Sequence, residues 1–344
     1  MSITMANRDR RRKPSTTHQP HRLASPRSRV ALATSAISVA AIIVTAIIVA
    51  GIGGAHAEIS LTDRALSLTP GTQYIAQHGL SQTRNIVHSA CGFTMTLNRV
   101  YADINRVVVG YTITGPTNRN FIRQGFTTAP RLTDTHNAAT TTFPALAGAT
   151  TDLEEHTSGS YFAFDAGGIT DKAHTRRLRL TVPSIRGMER VGAHPVAARR
   201  ETYNTAPGAD IRLVTVSCPL TFDFTVSVSP RAREVAPHRI MYAGARPVTL
   251  DRVVVTPSEA RVYVSGVTIG FQDVIVDGRN YATVPGVRNG CAPTTSGSVD
   301  IACSYSAPLY GKRGDWTIIV HVNPHWQHGG WVFADSATFH IMMK

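Results

Sequence analysis

The feature that most constrains this chain is an uncharged apolar stretch close to its start. Residues 30–54 have the sequence VALATSAISVAAIIVTAIIVAGIGG, which contains no Asp, Glu, Lys or Arg. An α-helix of about 20 apolar residues is long enough to cross the hydrocarbon core of a bilayer. The sequence therefore predicts a single transmembrane helix over residues 30–54, followed by 290 of the 344 residues.

Charge around this segment predicts its orientation. The preceding arm, residues 1–29, holds eight Lys or Arg and one acid, Asp9, whereas residues 55–69 hold only three charged side chains. Positively charged flanks of a span stay on the cytoplasmic side. We therefore expect a single-pass protein of the cell membrane, with a cytoplasmic N-terminus and an extracytoplasmic bulk.

A cleaved signal peptide is the alternative. Ala55-His56-Ala57 fits the pattern of a signal-peptidase site, and cleavage after Ala57 would release a secreted protein that begins at Glu58. The apolar region of a signal peptide usually has about 7–15 residues, fewer than the segment here. This length favours a retained anchor, and both interpretations export the bulk of the chain.

The net charge of +13 is distributed unevenly. The arm contributes +7, from eight bases and one acid, so the other 315 residues carry only +6. A basic run beside a span is typical of a topology signal with affinity for anionic lipid, and we therefore expect no nucleic-acid partner. The mild positive balance of the exported part suits contact with anionic cell-wall polymers or lipid headgroups.

The four cysteines agree with export, because disulfides persist outside the cytosol. Cys91, Cys218, Cys291 and Cys303 all follow the predicted span, and four cysteines allow three pairings. Cys291 and Cys303 bracket a Gly/Ser/Thr-rich stretch, which favours a locally stapled hairpin and leaves Cys91 to pair with Cys218. A zinc site is the alternative, but there is no C-x-x-C and no nearby pair of histidines.

Beyond the span, apolar residues alternate with a period of two, which predicts β-strands. The alternation is clearest over residues 93–101, 107–114, 177–182 and 220–228, and no long stretch has a period of 3.6. In the first strand Phe93, Met95, Leu97 and Tyr101 are expected to share one buried face. Short strands separated by turn residues predict an all-β protein with two tandem immunoglobulin-like sandwiches after the transmembrane helix.

Four segments recur in the same order, which indicates two copies of one β-domain. Thr96–Val100 matches Thr249–Val253, and Arg106–Val109 matches Arg261–Val264. Two later pairs keep the order, namely 178–182 with 316–322 and 221–224 with 338–341.

The predicted organisation has six parts. They are a basic cytoplasmic arm (1–29), a transmembrane helix (30–54), a stalk (55–87), a first β-sandwich domain (88–230), a linker (231–246) that is bounded by prolines, and a second β-sandwich domain (247–344).

Two segments carry a family resemblance. Residues 91–116, CGFTMTLNRVYADINRVVVGYTITGP, resemble the signature of an uncharacterised bacterial domain family. Its members lie outside the membrane beyond a single span and are often linked to extracytoplasmic-function sigma factors. Residues 248–264, VTLDRVVVTPSEARVYV, are similar to the companion β-domain that follows. The resemblance implies a β-sandwich ectodomain of unknown ligand and carries over no catalytic residues.

Few residues suggest chemistry. His321, His325 and His328 are closely spaced, but a helix would be needed to bring all three to one metal, so we expect no metal and no cofactor. Pro324 and Gly329-Gly330 instead predict an exposed loop. We expect this loop to be a candidate interface that projects His325, Trp326, His328 and Trp331, because aromatic side chains anchor many binding surfaces. Trp316, which alternates with Ile318 and Val320, is expected in the core.

The sequence argues for a binding protein rather than an enzyme. It lacks the G-x-S-x-G, H-E-x-x-H and G-x-x-x-x-G-K-[ST] motifs. The leading hypothesis is a membrane-anchored extracytoplasmic binding or sensing protein that contacts a cell-wall polymer or a surface protein. The alternative, implied by the resemblance, is an anti-sigma-factor-like regulator, which the 29-residue arm does not support. An exported hydrolase or metal-dependent enzyme is the third hypothesis.

Overall fold

The computed structural model describes the following residues: 60–119, 121–125, 129–135, 141–150, 156–167, 175–190, 201–205, 211–266, 271–284, 288–293, 301–306, 309–327 and 330–344. The predicted arm and span, residues 1–29 and 30–54, lie outside the described residues. Within the described part, no helix has the length and apolarity needed to cross a membrane. This part contains 23 strands and two short helices, so the predicted all-β class is confirmed.

The first thirteen strands form three antiparallel sheets around one hydrophobic core, and we call residues 60–229 the N-terminal half. The strands are β1 (Gln82–Ala90), β2 (Phe93–Ala102), β3 (Arg106–Thr114), β4 (Phe121–Gly125), β5 (Arg131–Asp134), β6 (Thr142–Phe143), β7 (Ala145–Thr150), β8 (Thr157–Asp165), β9 (Thr175–Val182), β10 (Ile185–Arg190), β11 (Glu201–Thr205), β12 (Ile211–Val216) and β13 (Leu220–Ser227). The sheet orders are β1-β2-β3-β8-β7, β11-β12-β10-β4 and β13-β9-β5-β6. Each sheet contributes to the core, for example through Phe164, Val214 and Phe222.

The C-terminal half, residues 233–344, has two sheets and a core of its own. Its strands are β14 (Arg233–Val235), β15 (Arg239–Ala243), β16 (Arg246–Val255), β17 (Ala260–Ser265), β18 (Phe271–Val276), β19 (Arg279–Asn280), β20 (Arg288–Pro293), β21 (Ile301–Tyr305), β22 (Gly314–Gln327) and β23 (Gly330–Met343). The sheet orders are β14-β16-β17-β21-β20, with β15 also paired to β16, and β19-β18-β22-β23. Trp316 is fully buried in this core, as its alternation predicted.

Alternation of apolar residues identifies the strands because successive side chains of a strand point to opposite faces. In β13 the even-numbered side chains from Leu220 to Val226 are buried, and the odd-numbered ones from Thr221 to Ser227 are exposed. The predicted β2–β3 hairpin is also present. Tyr101, however, does not share the face of Phe93 and Leu97, because a bulge after Leu97 reverses the alternation.

The predicted stalk is wrong, because residues 61–77 fold onto the N-terminal half. They form α1 (Leu61–Leu66) and α2 (Pro70–Gln77), and β1 begins at Gln82. Ala65, Leu66 and Ile75 pack with apolar side chains on the outer face of the first sheet, namely Tyr101, Val108, Tyr161 and Ala163. The helices are too short for a clear 3.6-residue period. Gly159 lets α1 approach the sheet, since a Cβ there would lie 2.0 Å from the Leu61 carbonyl oxygen.

The predicted linker over residues 231–246 is also wrong. Both β14 and β15 lie within this range, and both pair with β16. The prolines that predicted a linker interrupt neither of these two strands: Pro230 precedes β14, Pro237 lies between β14 and β15, and Pro247 stands at the second residue of β16. Proline is tolerated near strand ends, where little of the hydrogen-bond ladder is lost.

The predicted repeat of the opening hairpin is supported by its register. Val100 lies opposite Val109 in the β2–β3 hairpin, and Val253 lies opposite Val262 in the β16–β17 hairpin. Each residue of the second hairpin therefore has a number 153 higher than its equivalent. Both hairpins also carry a bulge at the equivalent position.

The sequence match within the second strand was offset by two residues. The sequence aligned Arg106 with Arg261, whereas the register makes Arg106 equivalent to Glu259. An error of two residues keeps every side chain on its own face, which is why the alternation did not reveal it.

The two halves meet where the equivalent turns of these hairpins face each other. The turns are closed alike, by Asp103 N–H to the Arg106 carbonyl and by Thr256 N–H to the Glu259 carbonyl. The contacts between them are the Ser258 hydroxyl to Asp103 Oδ2 at 2.7 Å, Asn105 Nδ2 to Thr256 Oγ1 at 3.4 Å, and the Arg106–Glu259 ion pair. Adding 153 to a residue number of the first turn gives its equivalent in the second turn. Under this exchange the three contacts map onto one another, as they do at the interface of a twofold dimer.

Both disulfides predicted from the cysteine spacing are confirmed. Cys91 is bonded to Cys218, and Cys291 is bonded to Cys303. The first bond ties the turn between β1 and β2 to the segment that precedes β13, and the second staples the β20–β21 hairpin.

Candidate functional site

A groove of about 530 Å³ lies on the outer face of the β13-β9-β5-β6 sheet. Its polar lining comes from neighbouring strands: Asp223 and Thr225 of β13, Arg177 and Arg179 of β9, and Thr135 just after β5. Alternation places these side chains outward because Leu178 and Phe224 are buried in the core behind them. The register sets Arg177 opposite Thr225 and Arg179 opposite Asp223.

Strand β1 forms one wall of the groove through Arg84 and Ile86. The Arg84 guanidinium donates to the carbonyl oxygen of Thr225 at 2.9 Å, to that of Thr83 at 3.1 Å and to Gln82 Oε1 at 2.7 Å. These bonds hold the Arg84 guanidinium beside the edge strand β13.

Asp223 is the only carboxylate among the described residues that line the groove, and it is bound by Arg179. Arg179 Nε and one terminal nitrogen donate to the two carboxylate oxygens at 2.7 and 2.9 Å. The hydrogen bond from Arg179 is the main cause that lowers the pKa of Asp223, and the charges of Arg179 and His88 add to it. The same hydrogen bond raises the pKa of Arg179.

Arg177 differs from the other two arginines of the groove. Its side chain is exposed, and its guanidinium has no hydrogen-bond or ion-pair partner among the described residues. Two threonines flank it, Thr225 on β13 and Thr135 beside β5, whose hydroxyl donates to the Arg177 carbonyl oxygen at 3.1 Å. The groove therefore presents, between two hydroxyl groups, a guanidinium that has no partner in the described part of the chain.

The predicted loop over residues 324–331 has a different local structure. Strand β22 continues to Gln327 and β23 resumes at Gly330, with Trp326 directly opposite Trp331. Pro324 did not end the strand. Among the described residues β18 pairs with β22 only up to His321, so no described ladder on that side needs a donor from Pro324.

The predicted interface residues lie at the tip of this hairpin. The backbones of His325, Trp326 and Trp331 belong to strands β22 and β23, and His328 lies outside the described residues. His321, earlier in β22, donates through Nε2 to Asp273 Oδ2 at 2.9 Å, and its ring lies 5.2 Å from that of Phe333. Among the described residues, no group of three His, Cys, Asp or Glu could hold a metal ion.

The groove was not predicted from the sequence. One signal was available, because Arg177 and Arg179 occupy successive outward positions of a strand that the alternation identified. Strand order and register place Asp223 beside Arg179 and Arg84 at the edge of the sheet. The alternation of apolar residues predicts neither strand order nor register.

Comparison with known proteins gives limited matches. Residues 27–115 match the model of a family described as a domain of unknown function (DUF4179). This match supports the relation to an uncharacterised family that residues 91–116 suggested. It covers the predicted span, both helices and strands β1 to β3.

Among solved structures, the chain is similar to one described as the crystal structure of the conserved domain protein from Bacillus anthracis. The alignment covers 77% of this chain and 90% of that chain, with 11% sequence identity and a TM-score of 0.49. The comparison with curated proteins gives no match. None of these similarities assigns a ligand or an activity.

Proposed function

We propose that this protein is a membrane-anchored, non-enzymatic binding or sensing protein whose extracytoplasmic part takes its ligand in the groove of the N-terminal half. The observation that carries the proposal is the Arg177 guanidinium, which is exposed, has no partner among the described residues, and lies in a groove whose other two arginines are held by hydrogen bonds. Charged hydrogen bonds are among the stronger polar contacts, so an exposed guanidinium without a partner among the described residues is a suitable ligand contact.

The anchor and the architecture belong to the same proposal. Residues 30–54 serve as the membrane span with the N-terminus inside, and each half is a sandwich of the immunoglobulin type. Support comes from the charge asymmetry around the span and from the separate core of each half. Only residues 55–60 separate the predicted span from α1 in the sequence.

The tip of the β22–β23 hairpin is a second candidate contact. The register places two tryptophans opposite each other there, and tryptophan is enriched at binding hot spots. The partner for both sites would be a polymer of the cell wall or another protein of the cell surface.

Sedimentation with isolated cell envelope tests the proposal. The purified full chain in detergent should sediment with envelope from cells that lack the protein. Arg177→Gln should reduce the bound fraction, and Trp326→Ala should cost about 2 kcal/mol or more of binding free energy if Trp326 is a hot spot. Arg246→Gln is the matched control, because Arg246 is also exposed but lies in the C-terminal half. Equal retention of Arg177→Gln and Arg246→Gln would contradict a role for the groove.

A further inference from the structure

We propose that the groove binds an oxyanion ligand that carries at least two negative charges, on phosphate or carboxylate groups. This inference rests on the proposed function and specifies the chemistry of its ligand.

The lining of the groove has an excess of positive charge. Its described residues include three guanidinium groups, those of Arg84, Arg177 and Arg179, and one carboxylate, that of Asp223. The formal charge, three minus one, is therefore +2. Asp223 is already bound through both oxygens to Arg179, so it offers little to a cationic ligand.

Unused donors outnumber unused acceptors. A guanidinium has five N–H donors and no acceptor. Arg84 directs three bonds to protein oxygens, Arg179 directs two to Asp223, and Arg177 directs none to the described residues. The free hydrogen-bonding capacity of the groove therefore suits a ligand rich in acceptors, and oxyanions combine acceptors with the required charge.

Two of the three guanidinium groups are held in place before any ligand arrives. Arg84 is fixed on the backbone of β13, and Arg179 is fixed by its bidentate contact with Asp223. Binding costs less conformational entropy when the contacting side chains are already ordered. Arg177 is the third arginine, and a ligand that contacts it would lie in the same groove as these two held guanidinium groups.

Calorimetric titration of the full chain in detergent at low ionic strength tests this inference. Pyrophosphate is the phosphate probe and succinate is the carboxylate probe, so the two arms distinguish the chemical source of the charge. We expect at least one probe to bind and its affinity to fall as salt is added, because the groove is open to solvent. Arg177→Gln should weaken binding about tenfold or more, as loss of a charged hydrogen bond does.

For two further variants we predict the direction in which the affinity for the probe changes. Asp223→Asn removes the one carboxylate of the described lining and so raises the formal charge of the groove by one. The added attraction for an anion should exceed the cost of ordering the freed Arg179, so binding of the same probe should strengthen. Arg246→Gln, which removes one exposed positive charge elsewhere, should change the affinity less than twofold. Melting temperatures should change little for all three variants, since the altered side chains are exposed and an exposed ion pair such as Arg179–Asp223 contributes little to stability.

The outcomes separate this inference from the proposed function. Absence of binding by both probes, or equal effects of Arg177→Gln and Arg246→Gln, would overturn the oxyanion assignment. If Arg177→Gln nevertheless reduces envelope retention, the groove is a binding site for a ligand of another class. If a probe binds in an Arg177-dependent way while the envelope is not retained, the oxyanion assignment stands and the proposed function fails.

Discussion

Glu189 is a carboxylate without exposed surface, and it is held between two arginines of neighbouring strands and loops. Arg119 donates to its two oxygens at 3.2 and 2.8 Å, and Arg212 Nε donates to Oε2 at 2.9 Å. Burial alone raises the pKa of Glu189, but the hydrogen bonds and charges of the two arginines outweigh burial and lower the pKa below its ordinary value of 4.5.

This shift predicts how the stability of the protein depends on pH. A carboxylate whose pKa is lowered on folding stabilises the folded state at pH values above its unfolded pKa. That contribution is lost as the pH falls below about 4.5 toward the folded pKa, with a slope of up to about 1.4 kcal/mol per pH unit. Urea unfolding at a series of pH values from about 7 down to about 3 should show this loss begin near pH 4.5.

The matched variant for this measurement is Glu189→Gln. It keeps the size of the side chain but cannot titrate, so its unfolding free energy should fall less steeply with decreasing pH than that of the wild type. The difference between the two proteins should therefore shrink below pH 4.5. A constant difference across the whole range would show that Glu189 is not the group responsible.

At the scale of elements, the two disulfides constrain segments of very different length. Cys91 and Cys218 are 127 residues apart, whereas Cys291 and Cys303 are 12 apart. In the chain-entropy model, closing these loops contributes about 5 and about 3 kcal/mol respectively. The long-range bond also holds the end of β1, the strand that forms the wall of the groove.

Removing each disulfide by a double alanine substitution should reveal this order. Cys91→Ala with Cys218→Ala should lower the unfolding free energy more than Cys291→Ala with Cys303→Ala, as measured by urea titration without reductant. A larger effect of the local bond would mean that strain or structure in the unfolded chain dominates over loop entropy.

How far the elements could be predicted depended on the strength of their patterns. Strands such as β13 were predicted because one face meets the core and the other meets solvent over eight residues. The helices α1 and α2 have only 6 and 8 residues, too few for a clear helical period. Their apolar side chains cover apolar residues on the outer face of the first sheet, and neither sequence segment alone predicts this packing. The linker residues formed strands because β16 offered partners, and pairing partners are not visible in a local pattern.

The disulfides and the groove differ in the same way in how far the sequence predicted them. The cysteine pairs were predicted because spacing left one arrangement favoured. The groove was missed because its parts come from β1, β9 and β13, which are separated by up to 145 residues in the chain. Exposed arginines on a strand are ordinary in isolation, and only the register shows that Arg179 has a carboxylate partner whereas Arg177 has none among the described residues.

At the scale of the whole molecule, the contact between the two halves is polar and buried. Arg106, Glu259 and Arg261 are each no more than 3% exposed. Arg261 donates to Asp165 and to the Asn105 carbonyl oxygen, both at 2.6 Å, and thus extends the contact across the halves. Burial lowers the pKa of Arg261, but the charges of Glu259 and Asp165 outweigh burial and raise it. Buried ion pairs add little net stability when intact but make the loss of one partner costly.

We therefore expect Glu259→Gln to uncouple the halves. The substitution leaves Arg106 and Arg261 buried without the carboxylate that both contact, which typically costs about 3–5 kcal/mol. Wild type should unfold in urea as one transition, because the halves share this contact, whereas Glu259→Gln should unfold in two.

Glu234→Gln is the matched control, since it removes an exposed pair with Arg252 at 3.7 Å and should change stability by about 0.5 kcal/mol or less. A single, unshifted transition for Glu259→Gln would mean that the halves are held together by other contacts, such as the packing of Gly71 of α2 on the Ser258 backbone.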